Sequence, residues 1–250
     1  MKFFLFSLIV STSFTLFGSS TEERLMNLPP HEYLELARDR NITNSWVKME
    51  GRLYYKGPER KLKKKIYMSA RFKPESWLMK LQIEGSEAWT VRQVPSEGID
   101  GISVLKSEEA PNSEPVLGDF QLRPEDLTLS FIYWNFVSEE ESETVKLQRC
   151  RVMNLEHPSK KEKVRVWFML EYAFPIRVQW IKDGETQRQL DFVGSHKIQS
   201  SSNPDKYFRM VEEVRMSNRG WKTQVLFKKF EGDEVTASAQ APADLFNTIK

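Results

Sequence analysis

The sequence predicts a mainly antiparallel β protein with a few helices, an α+β fold built on one domain. Three observations carry that expectation. Apolar and polar residues alternate with period two in one segment after another. The segments are short and bounded by Gly, Pro, Asn and Asp. Two stretches of the chain carry helical signals instead.

Residues 1–20 read as a cleavable signal peptide, which leaves residues 21–250 as the single domain. Met1-Lys2 gives a positive start, Phe3 to Phe17 is largely apolar, and Gly18-Ser19-Ser20 supplies small residues before the polar Thr21-Glu22-Glu23-Arg24. The apolar run is short of the ~20 residues a bilayer span needs, so a leader is favoured over an uncleaved anchor. No cysteine lies near the cleavage region, so the new N-terminus does not read as acylated. The protein is expected in the exported compartment. A chain of 250 residues with 40% hydrophobic content can bury a full core, and β folds of this size often stay single. Its 37 Lys+Arg against 35 Asp+Glu leave a net charge of +2, so no bulk field draws it to nucleic acid.

After Pro29-Pro30, Tyr33, Leu34, Leu36 and Ala37 fall on one stripe of a helix over His31–Ile42. The period then switches to two. Val47–Tyr55, Ile66–Met68, Trp77–Glu84 and Trp89–Val91 place four strands between about residues 46 and 94. Pro95–Pro115 reads as a loop-rich excursion with a weak strand at Ile102–Leu105, and Pro124–Phe131 as a short helix with acids in its first turn. Glu139-Glu140-Glu141 reads as a solvated loop, and the basic run Arg60–Lys65 as a charged strand edge that discourages aggregation. Leu147–Val152 alternates like a strand, with the lone Cys150 as a small buried hydrophobe. Val164–Leu170, Ile176–Trp180, Gln189–Val193, Tyr207–Val211 and Trp221–Phe227 complete an antiparallel meander.

Catalytic chemistry is missing from the sequence, and the chain reads as a non-enzyme. His31, His157 and His196 stand apart, outside any HExxH or Cys-His pattern, so no metal or other cofactor is expected. There is no GxSxG elbow and no phosphate-cradling glycine loop. Carboxylate neighbours such as Glu125-Asp126 are ordinary first-turn acids. What is left is an apolar surplus on strand faces, with seven Trp and nine Met. A sheet of this size curls toward a barrel, and one of roughly eight or more strands can enclose a cavity or fill it with side chains.

The order of features resembles the LolA-like outer-membrane lipoprotein-sorting proteins, in a little-characterised branch. The residues that carry the resemblance are Leu117-Gly118-Asp119-Phe120 and the block Glu125–Trp134 before a strand. Further stretches are Cys150-Arg151-Val152 leading to His157-Pro158, Pro175–Ile181 before an Asp-Gly turn, and Lys222-Thr223 with Asp244-Leu245-Phe246. The family implies a half-open β-barrel covered by helices and loops, a periplasmic location, and a hydrophobic cavity for lipoprotein acyl chains or other lipids. The excursion at Pro95–Pro115 departs from the shorter carriers.

The expected function is therefore a periplasmic carrier or binding protein for such acyl chains, in outer-membrane lipoprotein sorting. The alternative is a lipid-sensing regulatory or envelope-interaction module of the same fold, docking on an inner- or outer-membrane protein. A monomer without nucleic-acid partners is expected. The candidate cavity residues are the alternating apolar positions Met49, Leu53, Met79, Leu81, Phe168, Val178, Trp180 and Phe227. Because small residues precede a sharp change to charge, N-terminal sequencing of the exported protein should find the mature chain starting after Ser20. A chain starting at Met1 would contradict the leader.

Overall fold

The computed structural model describes residues 18–38, 44–109, 111, 114–201 and 207–247. The first 17 residues of the expected leader lie outside that range, as do residues 39–42 at the end of the expected first helix. Two helices come first, α1 (Gly18–Asn27) and α2 (Pro30–Arg38). Pro30 starts α2 where its missing N–H costs nothing, and Glu32 and Arg38 sit at the helix ends that favour their charges.

Twelve strands follow, all antiparallel to their neighbours. They are β1 (Ser45–Lys56), β2 (Lys61–Phe72), β3 (Trp77–Ile83), β4 (Ala88–Gln93), β5 (Ile102–Glu108), β6 (Asn135–Val145), β7 (Gln148–Glu156), β8 (Lys163–Met169), β9 (Phe174–Lys182), β10 (Glu185–Gln199), β11 (Tyr207–Ser217) and β12 (Lys222–Glu234). One sheet contains them in the order β5-β4-β3-β2-β1-β12-β11-β10-β9-β8-β7-β6. Two meanders meet where β12 returns beside β1, and β5 and β6 are the two free edges. The barrel is thus half-open: the sheet curls without closing.

Local chemistry explains the turns and breaks. Asp183 and Gly184 both take positive φ, 52° and 80°, as a two-residue hairpin turn between β9 and β10 requires. Pro175 sits in β9 opposite Phe168, where the β8–β9 register shifts and a missing N–H is tolerated. The β1–β12 register also shifts, between Glu50 and Gly51. A Cβ at Gly51 would lie 2.5 Å from the Leu226 carbonyl oxygen and 2.9 Å from the Phe227 Cα, so only glycine fits there.

The expected strands and the Pro124 helix, α3 (Pro124–Thr128), are present with longer or shorter ends. The acidic run is a correction. Glu139–Glu141 lies within β6 rather than in a loop. β6 buries neither face along most of its length, so it shows no alternation, and its charges suit an unpaired edge. Glu139 instead reaches Arg151 of the adjoining β7, and Glu140 and Glu143 reach Arg165 and the Trp167 indole of β8, one strand further in. The basic run lies in β2, where the ladder to β3 begins only at Ile66, so Lys61–Lys64 form a local edge.

Cys150 is fully buried in β7, and burial pushes its thiol up to about 11. Alkylation of the folded protein should therefore be negligible and become complete on unfolding. Reductant should leave the melting temperature unchanged, and a fall would show that the thiol is engaged in a disulfide.

Candidate functional site: the roofed inner face

One row of directly opposed residues runs across eight strands: Leu62, Tyr55, Thr223, Met216, Leu190, Val178, Val166 and Met153. Opposed residues share a face, and so do positions two apart on a strand. Leu53, Met49 and Phe227 therefore join this row's face, as do Trp180 and Phe168. Met49 opposes Met68, which opposes Leu81, with Met79 two residues away. All eight sequence-derived cavity candidates thus lie on one face, and all are buried.

A roof covers this face. Tyr33 of α2 meets Phe168 edge-on, with ring centroids 6.3 Å apart, and donates its hydroxyl to the Met169 carbonyl at 3.0 Å. Burial pushes that phenol far above its usual range, so it stays a donor. The second piece is the connection from β5 to β6, which has to cross the whole sheet. Its residues 117–134 form a strap of short turns around α3. The Leu117 N–H donates to Glu87 of the β3–β4 turn, and the Phe120 carbonyl accepts from Thr223 Oγ1 of β12 at 2.5 Å. Phe131 then meets Trp180 of β9 edge-on at 6.1 Å.

Two arginines pin the roof, Arg151 buried and Arg188 half-buried, and sequence reasoning missed both. Arg151, 2% exposed, donates to the Leu25 and Leu28 carbonyls at 3.0 and 2.8 Å, and to both carboxylate oxygens of Glu139. It also lies over the Tyr33 ring, 4.6 Å from its centroid. The end of α1 is the negative end of the helix, so a cation suits it. Arg188 forks onto Asp126 of α3 at 2.9 and 2.9 Å and lies 4.0 Å over Trp180. Asp126, 1% exposed, also accepts the Arg123 N–H, capping its own helix. A signal existed: Arg151 interrupts an otherwise apolar inner series with Met153 and Leu155.

At the mouth, a cleft of about 480 Å³ opens between edge strand β5 and the β7–β8 turn. Ile102, Val104, Phe131, Trp134, Trp180, His157 and Glu162 are among the residues that line it. Of the eight candidates, Trp180 lines this cleft, whereas the other seven are buried in the core outside it. His157 Nδ1 accepts the Ser159 and Lys160 N–H groups at 3.1 Å each, which leaves Nε2 as a donor. Burial holds this imidazole below its usual pKa. Among the described residues no cluster of His, Cys, Asp or Glu could hold a metal ion, and no helix is long and apolar enough to cross a membrane.

Solved structures share this architecture. A DUF1329 family protein from Desulfovibrio piger superposes with a TM-score of 0.60 at 11% identity, over 88% of this chain and 98% of that one. A LolA superfamily protein from Nitrosomonas europaea gives 0.51 at 11% identity, over 88% and 98%. The fold is LolA-like. A third LolA-like neighbour, a domain from Vibrio parahaemolyticus named for outer membrane lipoprotein sorting, gives 0.59 at 14% identity, over 86% and 97%. No family model and no curated protein sequence matches the chain. None of the three neighbours is named as an enzyme.

In this LolA-like frame the Arg188–Asp126 pair is the ionic contact between strap and sheet that is most fully buried at its acid. Asp126→Ala leaves a largely buried guanidinium unpaired and should lower unfolding stability by about 3 kcal/mol. A denaturant titration showing less than ~1 kcal/mol would mean the strap is held by its apolar contacts alone.

Proposed function

We propose that the inner face binds acyl chains, of lipids or of lipoproteins, in the exported compartment, and that the chain works as a carrier or binding protein. The observation that carries this reading is the roof. It covers a continuous apolar face without adding a single strand to it, and its charged attachments are few and specific. A covering of that kind can exchange with another apolar occupant.

The strap's seat also favours exchange. Leu129 and Gln121 take positive φ, 61° and 58°, which a branched or long side chain adopts at a cost. Trp180 Nε1 and Arg123 Nε are shut from solvent with no hydrogen-bond partner among the described residues. Each lowers the cost of moving the strap. An acyl chain in its place gains roughly 25 cal/mol for each Å² of apolar surface buried, before the costs of association. Met49, Leu53, Met79, Leu81, Phe168, Val178, Trp180 and Phe227 would form the contact wall, and the Met side chains suit varied apolar partners. The likeness to the Vibrio parahaemolyticus domain supports lipoprotein acyl chains as the cargo.

The test uses opposite signs for stability and affinity. Wild-type protein should bind a fluorescent acyl probe saturably. Arg188→Gln, which unlatches the strap, should melt lower yet bind the probe several-fold more tightly, because the open state is more populated. Absence of saturable binding by folded wild-type protein overturns the proposal, as does weaker binding by folded Arg188→Gln.

A further inference from the structure

The other face of the same strands is built differently. Positions that alternate with the inner row on β2, β1 and β12 are Lys61, Lys63 and Lys65, Arg52, Tyr54 and Lys56, and Lys222. Lys61 directly opposes Lys56, and Lys56 directly opposes Lys222, so three like charges stand side by side across three strands. Directly opposed like charges destabilise a sheet. All three are exposed, as is Lys63. Among the described residues no carboxylate pairs with Lys56, Lys61, Lys63 or Lys222, whereas Lys65 pairs with Glu84 and Arg215 with Glu213.

These lysines border a groove of about 720 Å³ together with Tyr54, Gln224 and Arg215. The acid in its wall, Asp191, is already held by Arg177 at 2.9 Å and Lys146 at 3.5 Å. Lys63 lies 5.8 Å over the Tyr54 ring. The hydrogen bond from Arg52 holds the Tyr54 phenol below its usual pKa, as a local excess of positive charge would. Blunting of a sheet edge accounts for Lys61 and Lys63. It does not account for Lys56 and Lys222, which lie in strands paired on both sides.

We propose that this face of β1, β2 and β12 is a docking surface for an anionic lipid bilayer, with Lys56, Lys61, Lys63 and Lys222 against its phosphate headgroups. The chain's net charge is only +2, so the cations are a local arrangement and not a by-product of a basic protein. They are spread in two dimensions over three neighbouring strands, which matches an array of headgroups. Lysines, mobile point charges on long stems, fit fluid phosphates, whereas fixed carboxylates of a protein partner are better met by arginine forks. The proposal does not depend on what the inner face binds.

Vesicle flotation tests it. The full chain should float with phosphatidylcholine vesicles containing phosphatidylglycerol, not with phosphatidylcholine alone, and should be released by raising salt from ~0.05 to ~0.5 M. The variant Lys56→Gln/Lys61→Gln/Lys222→Gln should lose roughly 100-fold in vesicle affinity. The control Lys73→Gln/Lys161→Gln/Lys182→Gln, with the same loss of charge elsewhere, should bind as wild type. Relief of cross-strand repulsion requires the first variant to melt higher than wild type. A lower melting temperature, equal flotation with both vesicle types, or equal loss in the control overturns the proposal. So does tight capture of inositol hexakisphosphate in solution without flotation, which would make the groove a site for a soluble polyanion.

Discussion

A sheet that does not close must be roofed. β5 and β6 end the sheet without meeting, so the apolar inner face, continuous from Leu62 to Met153, would otherwise lie open to water. A closed barrel solves this with its own curvature. This chain solves it with the segment it needs anyway to pass from one edge to the other, together with two helices ahead of β1. Topology thus decides the site. β5 and β6 are consecutive in sequence and at opposite edges, so their connection has to span the sheet, and it does so over the inner face.

The roof's attachment follows from burial. Apolar contacts such as Tyr33–Phe168 and Phe131–Trp180 supply area but little direction, while Arg151 and Arg188 supply direction. Buried ion pairs are weak contributors to net stability, since desolvation offsets much of the attraction, yet breaking one is costly. That combination suits a cover with one defined closed position. Each guanidinium also lies over a ring of the contact it fixes, Arg151 on Tyr33 and Arg188 on Trp180, so pin and packing are coupled.

Much of the sheet was legible in the sequence because inner strands have one face covered and the period of two survives in Val47–Tyr55 or Trp77–Glu84. The eight candidate cavity residues came from the same signal, which is why they share a face. The signal fails where its cause is absent. β6 buries neither face along most of its length, so its acids read as loop. Arg151 and Arg188 were missed for another reason. A charged residue at an inner position reads as an outward one until its partners, Glu139 and Asp126, are known, and these lie 12 and 62 residues away.

Alternation also ties the two surfaces together. On β1, Leu53 and Tyr55 face the roofed side while Arg52, Tyr54 and Lys56 face the other, and a one-residue slip would exchange them wholesale. Gly51 guards against that slip, since the close approach of Leu226 and Phe227 admits no side chain and fixes where the β1–β12 register shifts. The same site limits how the halves are joined. β12 follows β1 over its whole length but meets β11 over five opposed pairs, Glu213–Ser217 with Leu226–Lys222, after which the strands pair only with their other neighbours. The two six-stranded halves therefore share a short ladder, with the strap bridging them through Glu87 on one side and Arg188 on the other. Lys222 stands within that ladder, opposite Ser217, on the side away from the roofed face, with Lys56 and Lys61 beside it on β1 and β2.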